Sequence, residues 1–267
     1  MFDGNPFLGA EVVRVEQDGG IATVVIDRPN HHNALNKPVW LGLTAAFRRL
    51  GVDDGVRCIV LRGAGHEAFS PGADITEFEE TRCDPAGAKE YGELIDDTVA
   101  ALDDCPHPMV ALIEGNCVGG GLLLAAKCDI RICGEGSRFG VPINRLGLTL
   151  GYPEIAAVIG LVGRAVTLEM LLEGRVFGAA EAKDKGLVNR VVPDGDVALT
   201  AYASARRIAE GAPLVNRWHK KFAHRLVDAR PLSEEERDEA YACFATENFK
   251  TGFHTFLNKT KPAFQGR

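Results

Sequence analysis

The 267-residue sequence predicts an α/β fold, with a core over residues 1–195 and a helical region over residues 196–267. Three observations carry this expectation. Short β-branched runs alternate with helix-patterned segments through the first part, the order of stacked α/β units. Pro and Gly close most of those runs, at Arg28-Pro29-Asn30, Arg62-Gly63-Ala64-Gly65, Cys105-Pro106-His107-Pro108 and Glu114-Gly115. Beyond Gly151 strand patterning almost ceases and helical segments follow one another, broken at Pro213 and Pro231.

Taken in order, residues 11–17 and 21–27 read as strands joined at Asp18-Gly19-Gly20, a hairpin signal. Proline at position 29 ends the second strand, because it cannot continue a ladder. Apolar residues at helical spacing follow over 40–50, then a strand over 57–61 and a long helix over 86–104. Residues 109–113 form a short buried strand, 119–126 a helix opening at Gly119-Gly120-Gly121, and 129–133 another strand. Helices are expected over 154–162, 165–172 and 179–185, with 187–192 as the one late strand.

Composition narrows the function classes. Hydrophobic residues at 46% and charged residues at 25% match soluble globular chains. With 30 Lys+Arg against 37 Asp+Glu the formal charge is −7 and no basic block appears, so nucleic acid is not an expected partner. A local basic cluster can still hold a small anion. Seven cysteines, odd and scattered without a C-x-x-C pair, argue against zinc and for small core residues. Residues 1–10 are short and polar for a signal peptide, and no 18-residue apolar span is expected, so the reading is cytoplasmic with no membrane contact.

Two glycine-bearing stretches follow strands and could present backbone amides: Phe69-Ser70-Pro71-Gly72-Ala73-Asp74-Ile75 and Glu114-Gly115-Asn116-Cys117-Val118-Gly119-Gly120-Gly121. The second opens a helix, whose first N–H groups are unpaired and favour negative charge. Two such amides converging on one oxygen would stabilise an oxyanion, at about 3 kcal/mol per donor. The plainer alternative is that the glycines serve close helix–strand packing. No Gly-Lys-Ser/Thr follows, which excludes a phosphate P-loop.

The chain resembles the crotonase (enoyl-CoA hydratase/isomerase) superfamily. The resemblance runs through Arg28-Pro29, Asn33-Ala34-Leu35-Asn36, residues 69–75, the glycine triplet, Cys128-Asp129-Ile130, Phe139-Gly140, Gly186-Leu187-Val188-Asn189 and Phe256-Leu257-Asn258-Lys259-Thr260-Lys261-Pro262. It implies a spiral of β-β-α units with C-terminal helices that trimerise, as a homotrimer or a dimer of trimers. It also implies an acyl-CoA thioester as substrate and no cofactor beyond the CoA of that substrate. By motif position the oxyanion-hole amides belong to Ala73 and Gly120. Asn36, Asp74 and Ile75 would border the CoA, and Phe256 and Lys259 would reach its nucleotide end, partly from a neighbouring subunit. A lysine there suits the phosphates.

The pattern then breaks. Hydratases of this family use two glutamates; the positions that match them here are Leu123 and Ile143, which neither take nor give a proton. Ordinary two-glutamate hydration is therefore not expected, and isomerisation, decarboxylation or another enolate step is. Glu154, after Gly151-Tyr152-Pro153, is the candidate replacement acid, against its reading as a helix-start carboxylate. Glu77 is the second candidate. Asp74 and Asp129 also read as turn-capping carboxylates, His66 and His107 as loop residues, and Cys117 as a packed thiol. A non-catalytic acyl-CoA binder on the same fold is the alternative function.

Overall fold

The computed structural model describes residues 12–266; the polar opening segment, the expected start of the first strand at Glu11 and Arg267 lie outside them. Strands β1 (Val13–Asp18) and β2 (Ile21–Ile26) pair antiparallel with Asp18 opposite Ile21. Gly19 and Gly20 are thus the two-residue turn, and Gly19 takes φ +56°, a conformation that favours glycine. Helix α1 (Lys37–Gly51) begins earlier than its apolar pattern, because the Asn36 side chain caps it by accepting the Val39 N–H at 3.1 Å.

From there the chain repeats one unit. A long strand is followed by a short one, and then usually by a helix. The pairs are β3 (Cys58–Gly63) with β4 (Ala68–Ser70), β5 (Met109–Ile113) with β6 (Asn116–Val118), and β7 (Ile130–Gly134) with β8 (Arg138–Gly140). Helices α2 (Phe78–Thr81) and α3 (Pro85–Asp103) follow the first pair, α4 (Gly120–Ala126) the second and α5 (Tyr152–Glu173) the third. The late elements are β9 (Phe177–Gly178), α6 (Ala179–Asp184) and β10 (Arg190–Val192). Long strands form a six-stranded sheet, β1-β2-β3-β5-β7-β10, parallel except at the hairpin. Short strands form a second sheet, β4-β6-β8-β9.

This second sheet was not expected from the sequence, and β9 corrects the expectation of a single late strand. Strands of two or three residues are too short to show an alternating pattern. The long strands were visible because both faces are buried, which makes them continuous apolar runs. Ile59 and Leu61 face the main core with Trp40, Phe47 and Leu102. Cys58 and Val60 face a smaller core closed by Val197, Ala201 and Ala205 of α7 (Val197–Glu210). The region after residue 196 therefore starts with a helix that covers the large sheet.

Helices α8 (Pro213–Arg225), α9 (Glu234–Glu239) and α10 (Glu247–Leu257) complete the chain. Buried Lys220 of α8 donates to the His107 carbonyl at 2.9 Å and pairs with Asp129 at 3.2 Å. Asp129 also accepts the Met109 N–H at 2.7 Å, so one carboxylate joins α8 to the start of β5. His107 lies in a loop yet is buried; it donates to the Leu50 carbonyl at 2.9 Å, and burial lowers its pKa.

Helix α5 runs against the expectation that no long apolar span exists. An 18-residue window of it has mean hydropathy 1.9 and is largely exposed on the single chain. Gly163, at φ +75°, divides the element into the two helices the sequence predicts, and Arg164 and Glu169 interrupt its apolar run. Each half, at 1.5 Å per residue, is about 16 Å long against a hydrocarbon core of roughly 30 Å.

Candidate active site

The first wall is main chain. Leu35 and Ala73 form a parallel bridge in which the Leu35 N–H donates to Gly72 O at 2.8 Å and the Asp74 N–H to Leu35 O at 2.9 Å. Those bonds use the neighbours of Ala73, so its own N–H faces away from Leu35. The opposing loop turns from β6 into α4 at Gly119, with φ +54°. The Gly119 N–H is spent on Gly140 O at 2.9 Å, whereas the Gly120 N–H heads α4, where no intrahelical acceptor exists.

The two loops touch backbone to backbone. A Cβ on Gly72 would stand 3.0 Å from Gly120 N and 3.0 Å from Val118 O, and φ there is +98°. A Cβ on Gly121 would stand 2.3 Å from Ser70 O. The two readings of the glycine triplet are therefore divided between residues: Gly121 permits close packing and Gly120 leads with its amide. Leu35 and Trp40 back Gly120, each within contact of a Cβ placed there.

Asp74 fixes the first loop. It accepts the Thr76 hydroxyl at 2.7 Å and the Thr76 N–H at 3.2 Å on one oxygen, and Arg28 Nη1 at 2.9 Å on the other. These bonds, led by the Thr76 hydroxyl, hold its carboxyl below the usual range against the opposing effect of burial. Its side chain is thus occupied in holding the loop, the turn-capping role that the sequence also suggests.

The second wall is side chain. Glu154 stands in the first turn of α5 and accepts the Gly151 N–H at 2.6 Å, the capping geometry its sequence position suggests. Burial pushes its pKa up, against that bond and the Arg82 charge. The Arg82 guanidinium lies 4.0 Å from the Tyr91 ring centre and 4.5 Å from that of Phe78. The Tyr91 hydroxyl lies 3.4 Å from Leu35 O and 3.5 Å from Glu77 Oε2. Tyr91 therefore connects Arg82 to the Ala73 bridge, and the Arg82 charge reaches Glu154.

The sequence reading missed both residues. Tyr91 does sit in register with the buried face of α3, at Ile95, Thr98 and Leu102, but nothing local marks Arg82. Glu77 accepts the Lys37 N–H at 3.0 Å at the start of α1.

Leu123 is buried in the main core, and half-buried Ile143 packs against that core. The Asn36 side chain is the cap of α1, and Ile75 is exposed beside the first loop. Phe256 is 83% exposed on α10 and Lys259 follows that helix at φ +53°; no hydrogen bond or ion pair joins either to the amide loops among the described residues. Exposed His66 bonds Glu114 at 2.8 Å, which also pairs with Arg62 at 3.4 Å. Burial raises the Cys117 thiol well above its ordinary value, so it is a packed residue. Among the described residues no cluster of His, Cys, Asp and Glu could hold a metal. A cleft of about 420 Å³ between Cys105-Pro106 and Trp218 of α8 lies away from these loops.

Paired sheets built by repeated strand–strand–helix units, with two glycine loops meeting between them, define a crotonase fold. A crystal structure described as an enoyl-CoA hydratase/carnithine racemase from Magnetospirillum magneticum superposes with TM-score 0.95 at 46% identity, covering 96% of each chain. The sequence profile described as enoyl-CoA hydratase/isomerase matches residues 16–267, and the chain belongs to that family. It is 33% identical to the probable enoyl-CoA hydratase 2, mitochondrial, of Arabidopsis thaliana, over 93% of this chain and 83% of that protein. It is 31% identical to the short-chain-enoyl-CoA hydratase of Clostridium acetobutylicum, over 93% and 95%.

Proposed function

We propose that this chain is an acyl-CoA enzyme that works through an enolate, with the thioester oxygen held by the N–H groups of Ala73 and Gly120. The observation that supports the reading is the close approach of the two loops: a Cβ on Gly72, the residue before Ala73, would stand 3.0 Å from Gly120 N, and neither the Ala73 nor the Gly120 N–H has a main-chain acceptor among the loop bonds. A carbonyl oxygen there gains negative charge as the α C–H bond breaks and its electron pair moves into the carbon–carbon bond. Preorganised donors favour that charge more than they favour the neutral thioester.

Glu154 is the proton acceptor in this reading. Its raised pKa suits a group that takes a proton and returns it to the substrate. Returned to a different carbon, the proton completes a double-bond isomerisation. Loss of CO₂ reaches the same enolate without a base, so decarboxylation fits the site as well. Hydration by the two-glutamate route fits less well than the names of the relatives suggest, because Leu123 and Ile143 occupy the matching positions. The backbone around Asp74 and Ile75 would border the CoA.

A homotrimer or dimer of trimers would bring Phe256 and Lys259 of one copy to the CoA of another. The exposed aromatic stripe of Phe244, Phe249 and Phe253 supports such assembly. The test is exchange of acyl α-protons in deuterated water. Exchange slowed about 10²-fold in Glu154→Gln is the expected result; exchange undiminished in that variant removes Glu154 from the mechanism. One observation favours the second reading, a non-catalytic acyl-CoA binder: Glu154 Oε2 is engaged with the Gly151 N–H. Thioester binding without exchange, hydration or decarboxylation over an acyl-CoA panel would establish it.

A further inference from the structure

Arg82 is the least explained charge near the site. Its Nε and Nη2 atoms are buried and neither has a hydrogen-bond partner. No carboxylate lies within ion-pairing distance of it among the described residues; Glu154 feels its charge without forming a pair. Leaving a buried donor unpaired is costly, more so for a charged group. Stacking accounts for the flat face of the guanidinium, which rests against Tyr91 and Phe78. It does not account for the edge.

That edge has a defined chemistry. Nε–H and one Nη–H point the same way from a planar guanidinium, spaced to meet the two oxygens of a carboxylate. The two rings fix its orientation, so little rotational freedom is lost when a ligand pairs with it. Its position is equally specific. Arg82 stacks on Tyr91, whose hydroxyl neighbours Leu35 O, and Leu35 bridges Ala73. Glu154 is near enough to feel its charge. The unpaired edge thus belongs to a side chain tied through Tyr91 and Leu35 to the proposed thioester anchor, within reach of an acyl chain that extends from it.

We propose that Arg82 selects an acyl group ending in a carboxylate, so that the substrate is the CoA thioester of a dicarboxylic acid. This rests on the acyl-CoA reading above and adds the chemistry of the far end of the acyl chain. Arg82 acts as a binding residue and takes no part in proton transfer.

The test compares succinyl-CoA with butyryl-CoA, glutaryl-CoA with valeryl-CoA, and adipyl-CoA with hexanoyl-CoA by equilibrium binding. Each pair differs only by carboxylate against methyl at the chain end. At least one diacid should bind about tenfold or more tightly than its partner, and Arg82→Gln should bring that ratio to near one. Arg82→Lys, which keeps the charge and loses the fork, should retain part of it. No preference in any pair, or a preference that survives Arg82→Gln, overturns the proposal while leaving the acyl-CoA reading standing. If none of the six binds, the acyl-CoA reading itself fails and this inference with it. The wild-type ratios decide the matter even if a variant does not fold, and thermal melting of each variant reports folding separately.

Discussion

On one side of the candidate site the functional groups are main-chain amides at Ala73 and Gly120; on the other they are the side chains of Glu154, Arg82 and Tyr91. The amides are set by a strand bridge, by a helix start and by glycines packed against opposing backbone. Apart from proline, no substitution removes them; it can only displace them. The side chains project from the helical segments around α2, α3 and α5, which permit other residues at the same points. In the proposed reaction the amide wall would fix what kind of charge can be stabilised, and the side-chain wall would decide which proton moves and which acyl group fits.

The largest effect should come from disturbing the amide wall. Gly72→Ala puts a Cβ 3.0 Å from Gly120 N at φ +98°, so the loops must part. The α-proton exchange rate should fall about 10²–10³-fold, the cost of one lost oxyanion donor. A near-normal rate would show that the amides do not act as a pair. The side-chain wall comes next: Glu154→Gln should lower exchange about 10²-fold. In the wild type, burial raises the Glu154 pKa, so the carboxyl stays protonated to higher pH than an ordinary glutamic acid. The rate should rise with pH through a midpoint above the usual glutamate value, and this limb should vanish in Glu154→Gln.

A smaller effect separates scaffold from chemistry. Asp74→Asn should cost about 2 kcal/mol in urea unfolding at neutral pH, since Arg28 loses its buried partner. The Asp74 pKa is lowered in the fold, so its stabilisation is present above the pKa of the unfolded carboxyl, about 3.9, and is lost as pH falls through the folded value. The gap between wild type and variant should accordingly narrow in acid; a constant gap would mean the ion pair is not its source. The smallest expected effect is on thiol chemistry. Iodoacetamide should modify exposed Cys83 and leave Cys117 untouched in the native protein, read by peptide mass. Labelling of Cys117 would show that the loop beside Gly120 opens.

The same contrast explains how much the sequence disclosed. The long strands, the hairpin, the helix opening at the glycine triplet and the break near Gly163 are local patterns of apolar residues, glycine and proline. They were legible for that reason. The short sheet was not, because β4, β6, β8 and β9 have no period to read. Ala73 and Gly120 were named through motif position, with glycine marking each loop. Arg82 and Tyr91 lay hidden because their significance is a meeting of segments distant from Leu35 and Glu154 in the chain. Asp74 and Asn36 were legible as residues of the right loops, and their side chains hold a turn and a helix start there.

The tight fit of Gly121 against Ser70 has one more consequence. With no room for even a methyl group, the width of the gap between the two loops is inherited by every folded variant that keeps the loop glycines. New acids at 123, 143 or 154 could then be tried against an unchanged anchor, making this a scaffold on which the reaction can be exchanged while the grip on the substrate stays put.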